Sequence, residues 1–259
     1  NDIVAWNHVN WDGLGNDRSE LFIGVGTHRY GDANPDNWLG FQNAGLYKSI
    51  DNGLNWNRIQ TASLKLTPTS SYFTIPNDFE IDANNRLWFG SIRTPGTSSG
   101  GGKVFNSTDG ATWTQITILI DSDRVELAVS STDANKLYAL TQGDDGTNDP
   151  PPHIFATIDG FTNTTELTTP ADVDTGISDT DFTRGQAFYD LVIEVDPTND
   201  AIVYVGGIDL FRSDDSGINW SQISKWSNNN NLAALTCSTV HADQHAFTFR
   251  PGSGGNNEA

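Results

Sequence analysis

Ser213-Asp214-Asp215-Ser216-Gly217-Ile218-Asn219-Trp220 places a hydroxyl, a carboxylate two residues on, a glycine and an aromatic ring within eight residues. Three other stretches repeat the pattern. They are Ser49-Ile50-Asp51-Asn52-Gly53-Leu54-Asn55-Trp56, Ser107-Thr108-Asp109-Gly110-Ala111-Thr112-Trp113 and Thr157-Ile158-Asp159-Gly160-Phe161. The second copy is one residue short, and the third lacks the tryptophan. The four aspartates are spaced by 58, 50 and 56 residues, and a period of this size marks a repeat architecture.

Each turn lies between short runs of period two bounded by Gly, Pro and Asx clusters, the pattern of strands. Around the fourth copy these are Leu191–Val195, Ile202–Val205, Leu210–Arg212 and Asn219–Ile223. The second unit has Phe79–Asp82, Leu87–Gly90, Lys103–Phe105 and Thr112–Ile116. The third has Val125–Val129, Lys136–Leu140 and His153–Ala156, and the first has Leu21–Gly24 and Gly45–Lys48. Four antiparallel strands per repeat predict an all-β fold, a β-propeller of four-stranded antiparallel blades. One propeller region covers 1–259, with blades at about 1–60, 72–118, 122–168 and 186–224 and the start of a fifth at about 240–259. A propeller closes on itself to remove its edges. Four and a part blades therefore predict an incomplete part of a larger propeller.

The repeated residues have a structural job. A carboxylate and a hydroxyl two residues apart satisfy turn amides, glycine supplies the permissive backbone, and the ring plugs between sheets. Ser49, Asp51, Gly53 and Trp56 are read as turn formers, as are Ser107, Asp109 and Trp113. So are Thr157 and Asp159, and Ser213, Asp215, Gly217 and Trp220.

These turns resemble the Asp-box, or bacterial neuraminidase repeat, of sialidases, xyloglucanase-type glycosidases and sortilin-like propellers. Gly185–Asp190, Val203–Gly207 and Val240–Ala246 are also similar to a group of exported Bacteroidetes propellers that carry sorting domains for type IX secretion. The resemblance implies a secreted or cell-surface protein, with secretion machinery as a partner. For a sialidase it further implies three arginines on the substrate carboxylate. Arg29, Arg93, Arg124 and Arg184 lie in or beside the candidate face, but the Phe/Tyr-Arg-Ile-Pro motif is absent. For a xyloglucanase-type site, Asp12, Asp78, Asp190 or Asp243 could serve as an acid, and the sequence does not choose among them.

Composition bounds the function. The 259 residues carry a formal net charge of −19, with 36% hydrophobic and 10% aromatic residues. No basic stripe is present to displace counterions, which argues against nucleic acid and against an anionic membrane. No apolar run reaches transmembrane length. One cysteine, Cys237, allows no internal disulfide. The chain begins at Asn1 without Met or a signal peptide and reads as a mature or trimmed piece.

If the Asp turns join third and fourth strands, the long loops all fall on the opposite face, where function concentrates. They are residues 27–44, 92–102, 142–152, 168–185 and 225–240. On that face His241, Asp243 and His245 alternate and could bind a metal or relay protons. Asp190 joins them as a candidate catalytic residue. His28, Arg29, Tyr30 and Trp38 suit sugar stacking and hydroxyl recognition. Asp172, Asp174, Asp179 and Asp181, and separately Asp144, Asp145 and Asp149, form acid-rich loops that could hold Ca²⁺, without EF-hand spacing. No cofactor is required. The sequence therefore predicts a recognition module that binds a glycan or a protein. A glycoside hydrolase and a scaffold propeller of a secretion substrate are the alternatives.

Overall fold

The computed structural model describes residues 2–26, 43–94, 97, 99–144, 150–251 and 257–258. They form strands and turns, with short 3-10 turns at Ala62–Leu64 and Asn230–Ala234. Two compact units divide the chain, Asn1–Val125 and Glu126–Ala259.

The first unit holds two blades. One is β1 (Ile3–His8), β2 (Arg18–Val25), β3 (Gly45–Ser49) and β4 (Asn57–Arg58). The next is β5 (Ile75–Ile81), β6 (Leu87–Ile92), β7 (Lys103–Ser107) and β8 (Thr114–Ile118). Both are antiparallel meanders in sequential order. A third blade comprises β9 (Ser122–Val129), β10 (Leu137–Gly143), β11 (His153–Thr157) and β12 (Thr165–Leu167). The fourth, in the second unit, comprises β13 (Val192–Val195), β14 (Val203–Gly206), β15 (Leu210–Ser213) and β16 (Ser221–Gln222).

Burial follows from this layout. Burial in β2 alternates, but in the other three blades the second strand is covered on both faces: every residue of β10 and β14 is buried, as are Leu87–Ser91 of β6. These strands read as continuous apolar runs rather than alternating ones. Fourth strands are outermost and mostly exposed, as in β8. Within the first unit, Trp6, Phe22, Phe79, Phe89, Phe105 and Trp113 form one core, with Phe89 stacked on Phe105 at 4.7 Å. Within the second unit, Tyr138, Leu140, Ile154, Phe182, Ile193, Val205 and Phe211 form another. Each buried ring contributes roughly 1.5–3 kcal/mol.

The four Asp turns occupy the connections β3–β4, β7–β8, β11–β12 and β15–β16. In the fourth, Ser213 Oγ donates to Asp215 Oδ1 at 2.8 Å and accepts from the Gly217 amide at 2.8 Å. Asp215 then accepts from the Asn219 amide at 2.8 Å and from the Asn219 side chain at 2.6 Å. Asp51 with Asn55, and Asp159 with Asn163, repeat this pincer. Each full turn passes through two consecutive left-handed residues, Asn52–Gly53, Gly160–Phe161 and Ser216–Gly217. The short second copy has one, Gly110, at φ 61°. A Cβ there would lie 2.6 Å from the Phe22 ring, so only glycine lets this turn seat on the preceding blade.

The sequence makes residues 241–251 the first strand of a fifth unit. No strand forms over 240–249, and Asp243 takes φ 72°. The segment instead lies against the fourth blade. The Gln244 amide donates to Gly207 O at 2.7 Å, and Phe247 stacks on Tyr204 at 4.7 Å. β17 (Ser224–Lys225) pairs in parallel with β18 (Ser238–Thr239), and β19 (Arg250–Pro251) pairs with β20 (Asn257–Glu258).

Candidate functional site

Strand direction alternates along a meander, so alternate connections share an end. In the fourth blade, the β13–β14 turn and the Asp turn lie at one end. The β14–β15 connection (207–209), residues 223–226 and the segment entering β13 lie at the other. This loop end gathers a polar cluster centred on an arginine.

Arg184 is its centre. Its backbone is left-handed, at φ 54°, inside a turn capped by Asp181, which accepts from the Thr183 and Gly185 amides at 3.1 and 2.8 Å. The guanidinium donates to Asp172 Oδ2 through Nε at 3.0 Å and Nη2 at 2.7 Å, and to Asp174 Oδ2 through Nη1 at 3.0 Å. Asp209 Oδ2 lies 3.9 Å from Nη2. Asp209 is fully buried and accepts from Ser224 Oγ at 3.0 Å and from Gln222 Nε2 at 3.1 Å. Burial pushes its carboxyl up to about 6, and the charges of Asp172 and Asp174 push the same way. Three aromatic residues of this loop end are exposed, of which Trp226 contacts the cluster. Trp226 is 41% exposed, and Phe188 and Tyr189 are 43% exposed. Arg184 lies 5.6 Å from the centre of the Trp226 ring.

The sequence-predicted residues fall as follows. Asp172 and Asp174 are held by Arg184, Asp181 caps the adjacent turn, and Asp179 is exposed. His241 Nδ1 contacts Ala242 O at 2.7 Å, while the His245 ring packs edge-on to Tyr189 at 4.4 Å. The left-handed Asp243 breaks the alternation that would align these three. Asp190 is buried at the foot of β13. Among the described residues, no group of three or more His, Cys, Asp or Glu side chains is arranged to hold a metal ion. His28, Arg29, Tyr30, Trp38, Asp145 and Asp149 lie outside the described residues. In the first unit, Arg93 pairs with Asp123 at 3.1 Å. Asp12 is a turn former at the Asp-turn end, accepting from the Leu14 amide at 2.8 Å and from the Asn16 side chain at 2.5 Å.

The turn aspartates are acidic for a local reason. The Asn55, Asn163 and Asn219 side chains, with their amides, hold Asp51, Asp159 and Asp215 below the usual carboxylate range. Burial acts against this at Asp109, where the Thr112 and Ala111 amides prevail and lower it. The asparagine four residues after Asp51, Asp159 and Asp215 is not singled out in the sequence, although its fixed spacing is a local signal that could find it. The Arg184 cluster leaves no such signal, because its members span residues 172 to 226 and meet only through the fold.

No family model and no curated protein matches the chain. Among solved structures, an ancestral GH74 enzyme is 16% identical over 88% of this chain and 24% of its own, with a TM-score of 0.52. The GH74 xyloglucanase from Xanthomonas campestris is 16% identical over 80% of this chain and 29% of its own, with a TM-score of 0.45. YCF48 from Cyanidioschyzon merolae is 16% identical over 69% and 50%, with a TM-score of 0.41. The chain thus spans between about a quarter and a half of the length of these proteins. With its four-stranded antiparallel blades, the chain has an all-β fold of the β-propeller class. Among the described residues, no helix is long and apolar enough to cross a membrane.

Proposed function

We propose that this chain is a recognition module of the Asp-box type that binds a glycan or a protein through the loop end opposite its Asp turns. One observation carries the reading. At the loop end of the fourth blade, Phe188, Tyr189 and Trp226 are exposed, while Asp172 and Asp174 are tied to Arg184, which stands over the Trp226 ring. Exposed aromatics on a rigid scaffold suit binding. Carboxylates neutralised by a guanidinium do not form the opposed, water-flanked pair that glycoside hydrolysis needs. A secreted or cell-surface location, with secretion machinery as a transient partner, belongs to the same proposal and rests on the sequence resemblance. No cofactor is required in this proposal, and Ca²⁺, suggested by the acid-rich loops of the sequence, is the ion to test.

A second reading, glycoside hydrolysis, follows from the sequence resemblance to xyloglucanase-type propellers, and Asp209, fully buried with its carboxyl pushed up to about 6, is the acid to test against it. Calorimetric titration against polysaccharides and candidate proteins, with reducing-sugar release measured beside it, separates the two. Binding without release supports recognition. Release that disappears in Asp209→Asn overturns it in favour of hydrolysis.

A further inference from the structure

We infer that Trp226 is the stacking platform of a glycan subsite at the loop end of the fourth blade, and that the sugar it takes bears no carboxylate, sulfate or phosphate. The inference rests on the recognition reading and adds to it a residue and a ligand chemistry.

Trp226 follows Lys225, whose side chain turns inward. Lys225 is buried, and its Nζ donates to Leu235 O at 2.6 Å and to Leu232 O at 3.3 Å. Trp226, at the bend that ends β17, is 41% exposed. Two contacts fix its pitch. The Arg184 guanidinium stands over the ring at 5.6 Å, and the indole Nε1 donates to Asp174 Oδ2 at 3.4 Å. Arg184 is itself locked by Asp172 and Asp174. The ring is therefore held before any ligand arrives and loses little freedom on binding. The part of the residue left exposed, 41%, is the apolar surface that would meet the C–H face of a pyranose ring. Asp174, the more exposed of Arg184's two bonded carboxylates, can accept from sugar hydroxyls at the edge of that plate.

Charge sets the ligand class. Around the ring, Arg184 is already matched by Asp172 and Asp174, with Asp209 close behind, and Lys225 is spent on two carbonyls. An anionic substituent would meet carboxylates without an available cation from this cluster, in a chain of net charge −19.

The test is calorimetric titration of the chain with neutral gluco-, xylo- and manno-oligosaccharides, and with oligogalacturonate and a sulfated oligosaccharide at equal ionic strength. Trp226→Ala, Trp226→Phe and, at the Asp-turn end, Leu54→Ser are titrated beside it. Melting curves establish that each variant is folded. We expect a neutral oligosaccharide to bind, with affinity about tenfold or more weaker in Trp226→Ala, mostly recovered in Trp226→Phe and unchanged in Leu54→Ser. Undiminished binding in folded Trp226→Ala, preference for the acidic sugars, or no neutral sugar bound each overturns the inference. If a protein ligand alone binds and Trp226→Ala weakens it, the inference fails and the recognition reading stands. If binding is lost only in Leu54→Ser, both fail.

Discussion

Phe161 occupies the position that Gly53 and Gly217 hold in the other full turns, with φ 64° and its amide donating to Thr157 Oγ1 at 3.0 Å. A bulky residue is strained there, yet its ring is 1% exposed, so burial outweighs the backbone cost. Phe161→Gly should relax the backbone and still lose about 2 kcal/mol net in urea unfolding. A gain in stability would show that the ring contributes little. Ser213 is fully buried and serves the Gly217 amide. Ser213→Ala should cost about 1–3 kcal/mol, because that donor loses its partner. Asp209 gives a pH signature. Its folded carboxyl keeps a proton up to about 6, against about 4 in the unfolded chain. Its favourable contribution is full below about pH 4 and is lost as pH rises through about 6. Above that, the buried charge costs at most about 3 kcal/mol. Asp209→Asn should therefore melt higher than the parent at pH 8, with the difference shrinking towards pH 4. An advantage independent of pH would refute this assignment.

Elements are joined by a few polar ties. Arg184 fastens the long segment before β13, through Asp172 and Asp174, close to the β14–β15 connection at Asp209. Arg184→Met should destabilise the second unit by about 3–5 kcal/mol, since Asp172 would be left buried without its counter-charge. Protection of amides in 170–190 from hydrogen exchange should fall with it, and unchanged protection would mean that other contacts hold the segment. At this scale the strands themselves were legible, because period-two runs end in Asx and Gly turns. The first blade showed only two of its strands clearly. β1 and β4 needed the register Ile3↔Ile23 and Tyr47↔Arg58 to appear, since Asn57–Arg58 has no apolar pattern. Residues 241–251 read as a strand, but only Arg250–Pro251 forms one, and the left-handed Asp243 breaks the extended run before it.

Across the whole molecule, a net charge of −19 repels itself. The melting temperature should rise as salt increases from about 0.02 M to about 0.5 M, where the Debye length falls to a few ångströms. A flat profile would indicate that local ion pairs such as Lys136–Asp200, at 2.9 Å, already offset the repulsion. The sequence by itself determined the repeat, the turn chemistry and the four-stranded blade, because each depends on residues within one period of the chain. The Asn partners of the turn aspartates are equally local, four residues away, but emerged only with the hydrogen bonds of the structure. Tertiary structure alone decided which acids are spent on arginine, which aspartate holds a raised pKa and which tryptophan stands outward. Those properties arise where residues 172, 184, 209 and 226 converge, and burial and charge pairing between distant segments leave no local pattern to read.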